Sequence, residues 1–148
     1  MPVDRLLPTD DARDLIELAR TIADKVLDPV VDQHEKTESY PDGVFATLGE
    51  AGLLSLPYPE EWGGGGQPYE VYLQVLEEIA ARWAAVAVAV SVHSLSSHPL
   101  LAFGTDEQKQ RWLPGLADGS ITMAFGRKNA IFASSTPTAY SPDSSGVR

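Results

Sequence analysis

The chain has no cysteine among its 148 residues. This excludes disulfide bonds, thiolate catalysis and cysteine-ligated metal sites. Long apolar runs are also missing: the best stretch, residues 84–92, is less than half of the roughly 20 residues that a membrane-spanning helix needs. The N-terminal residues include Asp4, Asp10 and Asp11, where a secretion signal would be basic and then apolar. These absences predict a cytoplasmic protein without a membrane anchor.

Basic residues are scarce: 11 Lys and Arg face 21 Asp and Glu, which gives a net charge of −10. Such a surface repels phosphate backbones and anionic lipid headgroups, so neither nucleic acid nor a membrane is an expected partner. The histidines His34, His93 and His98 lack the spacing of metal ligands. We therefore predict no metal site and expect these histidines to be polar residues at helix ends.

The first third of the chain has the periodicity of amphipathic helices. Pro29 must kink or end the first helix, because proline cannot donate to the preceding turn. A polar helical piece over residues 30–38 follows, and Pro41 is expected to open a helix that Gly52 ends. The first helix is predicted to bury a stripe made of Leu15, Leu18, Ala19, Ile22 and Val26.

Residues 57–66 contain two prolines and four consecutive glycines, which sustain neither a helix nor a central strand. Glu60 and Glu61 are adjacent there, but in a loop of this composition we expect them to be solvated rather than catalytic. The glycine run does not join a strand to a helix, so it is not a phosphate-binding loop. Its expected role is to let the backbone turn tightly.

The remainder predicts further helices. Residues 69–83 form one, with a Glu78–Arg82 pair at the favourable spacing. Residues 84–92 alternate Val and Ala like a strand, but a strand without a partner leaves its backbone unsatisfied, so we predict a buried helix over residues 84–97. Thr105 and Gln108 form a capping box for the last helix, and residues 121–125 begin a strand.

Four segments resemble the acyl-CoA dehydrogenase family in order and spacing. Residues 59–66 (Pro-Glu-Glu-Trp-Gly-Gly-Gly-Gly) resemble the family's Pro-x-Glu-aromatic-Gly-Gly-x-Gly loop. Residues 76–80 and 91–93 resemble the two helices that come next, and residues 103–114 resemble its Phe-Gly-Thr/Ser-x-Glu-Gln-Lys-x-x-Trp/Tyr-Leu-Pro segment. The resemblance covers roughly residues 10–126.

The resemblance implies a fold and an activity. These FAD-dependent flavoproteins desaturate the α,β bond of acyl-CoA thioesters, using three domains and a glutamate base on the C-terminal domain. The implied fold is the all-α N-terminal domain, about six helices over residues 1–126. A Ser/Thr/Pro-rich tail over residues 127–148 is predicted to be disordered.

The resemblance also assigns candidate site residues. Phe125 and Gly126 match positions near the flavin ring, and no residue matches the catalytic base, so no catalytic residue is predicted. The positions that match the acyl-chain pocket are Val88, Ser91, Val92 and Leu95. For each of these four residues, plain core packing is the alternative role.

The resemblance stops at Gly126, where the family continues with a Leu-Thr-Glu-Pro-x-x-Gly-Ser-Asp segment and this chain reads Arg127-Lys128-Asn129. A shifted reading frame or a genuine short form would both produce this. The expected function is the N-terminal part of an acyl-CoA dehydrogenase that alone binds no FAD and is inactive. Two alternatives stay open: an interaction module that docks onto a flavin-bearing paralogue in a homo- or hetero-oligomer, and a fragment of a related flavin monooxygenase or nitroalkane oxidase.

Overall fold

The computed structural model describes residues 7–124 and the backbone of residues 131–134. Its elements confirm the all-α prediction, with six α-helices among the described residues and one short pair of strands. In chain order they are α1 (Ala12–Ile22), a π-helical turn (Ala23–Leu27), α2 (Asp28–Thr37), α3 (Val44–Glu50), a 3-10 turn (Glu60–Trp62), α4 (Tyr69–Ala80), α5 (Ala84–Phe103), α6 (Asp106–Ala117), β1 (Ile121–Ala124) and β2 (Ile131–Ser134).

Helices α1 and α2 form one rod that contains the π-helical turn. The Asp28 N–H donates to the Ala23 carbonyl five residues back, one residue further than in an α-helix. Pro29 follows directly, as the second residue of α2, and cannot donate to the turn that precedes it. The predicted disturbance at Pro29 is therefore a local widening of the helix. Helix α2 itself has no buried residue, as its polar sequence predicts.

The buried face of α1 differs from the predicted stripe. Ala12 and Ala19 are buried, as is Ala23 beyond the helix end, while Leu18 is 39% exposed. Because alanine lets the helix approach α4 closely, the contact face is rotated away from the larger leucines. The buried face consists of Ala12, Ile16, Ala19, Ala23 and Leu27, with Leu15, Ile22 and Val26 half-buried beside it.

Helix α3 begins later than predicted and packs against the distant turn after α6. Gly43 precedes it with φ 81°, so Pro41 lies before the helix rather than at its first position. Gly49 is buried in α3, and a Cβ atom built on it would lie 2.0 Å from the Asp118 carbonyl oxygen. Leu48, Leu53 and Leu54 join the same core, each fully buried.

Helix α4 carries the main buried charge. Glu78 is only 6% exposed and accepts two hydrogen bonds from Arg20 of α1, at 3.1 and 3.0 Å. Arg82 lies 2.6 Å from Asp24. The sequence predicted a pairing of Glu78 with Arg82 along α4, whereas both side chains make these tertiary ion pairs, which join α4 to the α1 rod.

Residues 84–92 are helical, as predicted, and the helix continues through Pro99 to Phe103. By length and composition, α5 is long and apolar enough to cross a membrane, so the expectation that no segment reaches that length is wrong. Core helices of soluble proteins have the same property, and α5 packs against α4, α6 and β1 with Ser96 and Ser97 buried. It is not buried all round, since Val88 and Leu95 are exposed.

The last elements lie against the end of α5. The predicted capping box is present: the Gln108 N–H donates to Thr105 Oγ1, and the Thr105 N–H donates to Gln108 Oε1. The predicted strand is β1, which pairs with β2 in antiparallel register, Ile121 opposite Ser134. The tail predicted to be disordered, residues 127–148, lies outside the described residues except for β2.

Candidate functional site

One face of α5 carries all four residues matched to the acyl-chain pocket. Positions 88, 91, 92 and 95 follow the i, i+3, i+4, i+7 spacing that places residues on one side of a helix. Val88 is 61% and Leu95 60% exposed, while Val92 is half-buried and Ser91 is exposed. Two of the four are therefore large apolar side chains that the described domain leaves in solvent rather than in its core.

A groove of about 310 Å³ runs between this face and α4. Val88 and Ser91 line it from α5, and the exposed Leu73 lines it from α4. Val92 and Leu95 continue the α5 face beyond the groove. We call this surface, formed by Leu73, Val88, Ser91, Val92 and Leu95, the α4–α5 surface.

The Tyr58 hydroxyl anchors another side of α5. The Tyr58 hydroxyl donates to the Ser94 carbonyl, and Tyr72 of α4 is buried beside it. Burial raises the pKa of Tyr58 to about 12, and burial also raises the pKa of Tyr72. Both hydroxyls therefore stay protonated at neutral pH, and Tyr58 acts as a structural hydrogen-bond donor rather than as a base.

The glycine-rich loop has the predicted shape and is closed to ligands. Gly63 and Gly66 have φ values of 82° and 60°, which favour glycine. The backbone N–H groups of residues 63–67 all donate to carbonyls within residues 55–60, among them Gly66 to Tyr58 at 2.8 Å. A loop whose donors are all used internally cannot bind a phosphate, in agreement with the interpretation of this segment from its sequence.

His93 is the residue that the sequence analysis misjudged most. It lies in the middle of α5, 2% exposed, and not at a helix end. The Met123 N–H donates to Nδ1 at 3.1 Å, so Nε2 must carry the proton that it donates to the Leu116 carbonyl at 2.9 Å. Burial lowers the pKa of His93. One neutral imidazole thus joins α5, α6 and β1.

The remaining candidates from the sequence are two flavin-contact residues, two adjacent glutamates and the possible metal ligands. Phe125 and Gly126 lie outside the described residues, so the predicted flavin contacts stay predictions. Glu60 and Glu61 are exposed, as expected for a solvated loop. Within the described part of the chain, no three His, Asp or Glu side chains are grouped as metal ligands would be.

Comparison with known proteins identifies the same family as the motifs do. Residues 9–120 match the family described as acyl-CoA dehydrogenase, N-terminal domain. An acyl-CoA dehydrogenase of Bacillus subtilis is 37% identical over 110 residues, which is 74% of this chain and 29% of that protein.

Two solved structures share the fold. Butyryl-CoA dehydrogenase from Megasphaera elsdenii superposes with a TM-score of 0.73 at 29% identity, covering 81% of this chain and 32% of that one. A glutaryl-CoA dehydrogenase from Mycobacterium smegmatis, solved in complex with FADH2, gives a TM-score of 0.72 at 27% identity, covering 77% and 30%. The chain thus spans about a third or less of the length of these relatives.

Proposed function

Because the chain belongs to the acyl-CoA dehydrogenase family, whose N-terminal domain it contains, we propose that its α4–α5 surface forms one wall of the site for the acyl chain. The observation that carries this proposal is the exposure of Val88 and Leu95 on the one helix face whose residues match the family's acyl pocket. An apolar wall of this kind binds a hydrocarbon chain by removing both surfaces from water.

The wall does no chemistry by itself. Ser91 is the only polar side chain among the α5 residues of this surface, and Glu77, at the groove, is exposed to solvent. A carboxylate in water is too weak a base to remove the α-proton of a thioester. The proposal therefore assigns binding and positioning to this domain, and proton abstraction to residues outside it.

Members of the family use FAD, and the glycine loop of this chain does not fit the diphosphate of such a flavin. A flavin diphosphate needs free donors, and the glycine loop has already used its N–H groups within residues 55–67. We therefore propose no redox step for this domain.

The acyl-wall proposal is tested by titrating the isotope-labelled chain with octanoyl-CoA. We expect the amides of Val88, Ser91 and Leu95 to shift, more for octanoyl-CoA than for butyryl-CoA and not at all for CoA, because only the hydrocarbon chain contacts the wall. Leu95→Gln should weaken binding, and Leu18→Gln, at a half-exposed leucine of α1, should not. Equal shifts with CoA alone would contradict the proposal.

The closed glycine loop gives a second prediction. The purified chain is expected to be colourless, to retain no FAD after gel filtration, and to show no dehydrogenase activity with any acyl-CoA. Absorbance between 350 and 500 nm measures flavin occupancy directly. Near-stoichiometric flavin absorbance would show that residues outside the described range complete a site within this chain.

A second function, docking onto a partner chain, is favoured by one further observation. Phe103 at the end of α5 is 85% exposed, in addition to Leu73, Val88 and Leu95. Exposed apolar groups of this size commonly mark interfaces. Trp83, by contrast, is buried, and Leu100 packs against a small core cluster of Leu113, Leu116 and Met123, so neither belongs to this exposed apolar surface.

The docking alternative predicts that the chain self-associates and binds a hydrophobic dye. Phe103→Ser together with Leu73→Gln should reduce both signals, because each removes exposed apolar area without touching the core. Light scattering across concentration and dye fluorescence measure the effect. A monomer at high concentration without a dye signal would remove the physical reason for docking.

A further inference from the structure

A second cavity, of about 450 Å³, lies between the end of α2, the turn after it, α3 and the first half of α5. It shares no lining residue with the groove of the α4–α5 surface. We call it the α2–α5 cavity; its lining includes His34, Glu35, Glu38, Tyr40, Phe45 and Trp83. A volume of this size is typical of sites for small molecules.

Aromatic rings form much of its wall. Trp83 is 5% exposed and its ring centroid lies 5.8 Å from that of His34, the planes tilted by 31°. Phe45 is buried on α3, and Tyr40 is exposed at the turn after α2. Aromatic faces carry a negative potential, so a cavity with several of them attracts a cation that enters it.

Two carboxylates add to that potential. Glu35 Oε1 accepts a hydrogen bond from Trp83 Nε1 at 2.5 Å, which fixes the carboxylate beside the indole. Glu38 also lines the cavity; it is the residue directly after α2 and has a left-handed backbone conformation. Among the lining residues that the structure describes, none is lysine or arginine, so neither carboxylate has a fixed cation within this lining.

We propose that the α2–α5 cavity binds a small organic cation, in which a substituted ammonium group is attached to an apolar body. The ammonium group lies against the aromatic rings with Glu35 and Glu38 nearby. The apolar body contacts Phe45, Val86 and Ala89, which are also part of the lining. An acyl-CoA is excluded from this cavity, because its phosphates would be repelled by the same carboxylates. The proposal does not depend on the acyl-binding role of the α4–α5 surface.

The test compares choline with 3,3-dimethylbutan-1-ol, which has the same shape but no charge. The Trp83 indole N–H contacts Glu35, so its NMR cross-peak reports on the cavity. The chain has 3 tryptophans, and Trp62→Phe and Trp112→Phe assign the other two indole cross-peaks. At constant ionic strength, we expect choline to shift the Trp83 cross-peak with an affinity about tenfold higher than that of the neutral analogue.

Variants then separate charge from shape. The double variant Glu35→Gln/Glu38→Gln keeps an acceptor for Trp83 but removes both charges, and it should lower choline affinity about tenfold while leaving the neutral analogue unaffected. Glu107→Gln on α6, which removes one charge outside the cavity, should change neither affinity. Equal affinity for both ligands, no binding of choline, or equal shifts of Trp62 and Trp112 would each overturn the proposal. The comparison of the two ligands on the unaltered chain decides the matter even if the double variant does not fold.

Discussion

Replacing Gly49 by alanine is expected to lower the free energy of unfolding by about 3 kcal/mol or more. The new Cβ would lie 2.0 Å from the Asp118 carbonyl oxygen and 2.8 Å from the Gly119 nitrogen. Both are backbone atoms, so no side-chain rotation relieves the clash. Helix α3 and the turn between α6 and β1 must separate, which opens the core around Leu48 and Leu54.

Gly43→Ala is the matched control for this substitution. A Cβ at Gly43 meets nothing within 4 Å, so only its φ of 81° opposes alanine. That conformation costs about 1–2 kcal/mol for a residue with a side chain. Urea denaturation of both variants measures the difference. If Gly49→Ala destabilises the domain no more than Gly43→Ala does, the close backbone contact between α3 and Asp118 is not present in solution.

The domain is expected to lose stability as the pH falls below about 6.5, because the folded state requires neutral His93. Protonation would place a hydrogen on Nδ1, where the Met123 N–H already donates. Burial lowers the pKa of His93 in the folded state, so over this range the unfolded chain binds the proton more tightly. The stabilising contribution is therefore complete above the unfolded pKa and is lost as the pH decreases below it. Each tenfold difference in proton affinity between the two states costs about 1.4 kcal/mol.

His93→Gln separates this effect from the titration of the carboxylates. Glutamine offers one donor and one acceptor but does not titrate, so the stability of the variant should vary less between pH 7 and pH 5. At pH 7.5 it should be less stable by about 1–3 kcal/mol, because the amide does not match the geometry of the ring. His98→Gln, at an exposed position of the same helix, should keep the original pH dependence. Thermal melts across pH measure all three proteins; an unchanged slope in His93→Gln would contradict the assignment.

Local chemistry explains the elements that the sequence predicted well. The capping box depends only on Thr105 and Gln108, three residues apart, and its two hydrogen bonds form within one helical turn. The helix over residues 84–97 was predicted by an argument about satisfaction of the backbone rather than by the Val and Ala pattern. That argument holds because backbone groups in the interior of a helix find their partners within the same helix, and only those at its two ends do not.

Tertiary contacts decided the features that were predicted incorrectly. The buried stripe of α1 was predicted to include Leu18, which is 39% exposed, and to exclude Ala12 and Ile16, which are buried; only Ala19 of the predicted stripe is fully buried. Glu78 was paired with a neighbour on its own helix, but its partner Arg20 is 58 residues away in the sequence. Periodicity gives the faces of a helix, and only the position of the neighbouring helices determines which face is covered.

Part of the candidate site could be predicted from the sequence, and part of it is visible only in the folded domain. Val88, Ser91, Val92 and Leu95 were found through the resemblance to a family, and their exposure became visible only in the folded domain. The roles of His93 and of the α2–α5 cavity depend on residues from separate helices, so no local pattern marks them. An apolar helix with a histidine in its middle is a weak signal that a buried polar contact exists.

The π-helical turn between α1 and α2 has a consequence for insertions and deletions along this rod. A π-helical turn accommodates one residue more than an α-helix without rotating the segments on either side. Deleting Lys25 should therefore leave Arg20 facing Glu78 and Glu35 facing Trp83, whereas a deletion inside α1 would rotate one partner by about 100°. The regular helix created by the deletion would, however, bring the Pro29 ring against a carbonyl of the preceding turn. The shortened rod would tolerate the loss only if Pro29 were replaced as well. The number of residues in the π-helical turn, and the presence of a proline directly after it, are therefore expected to change together.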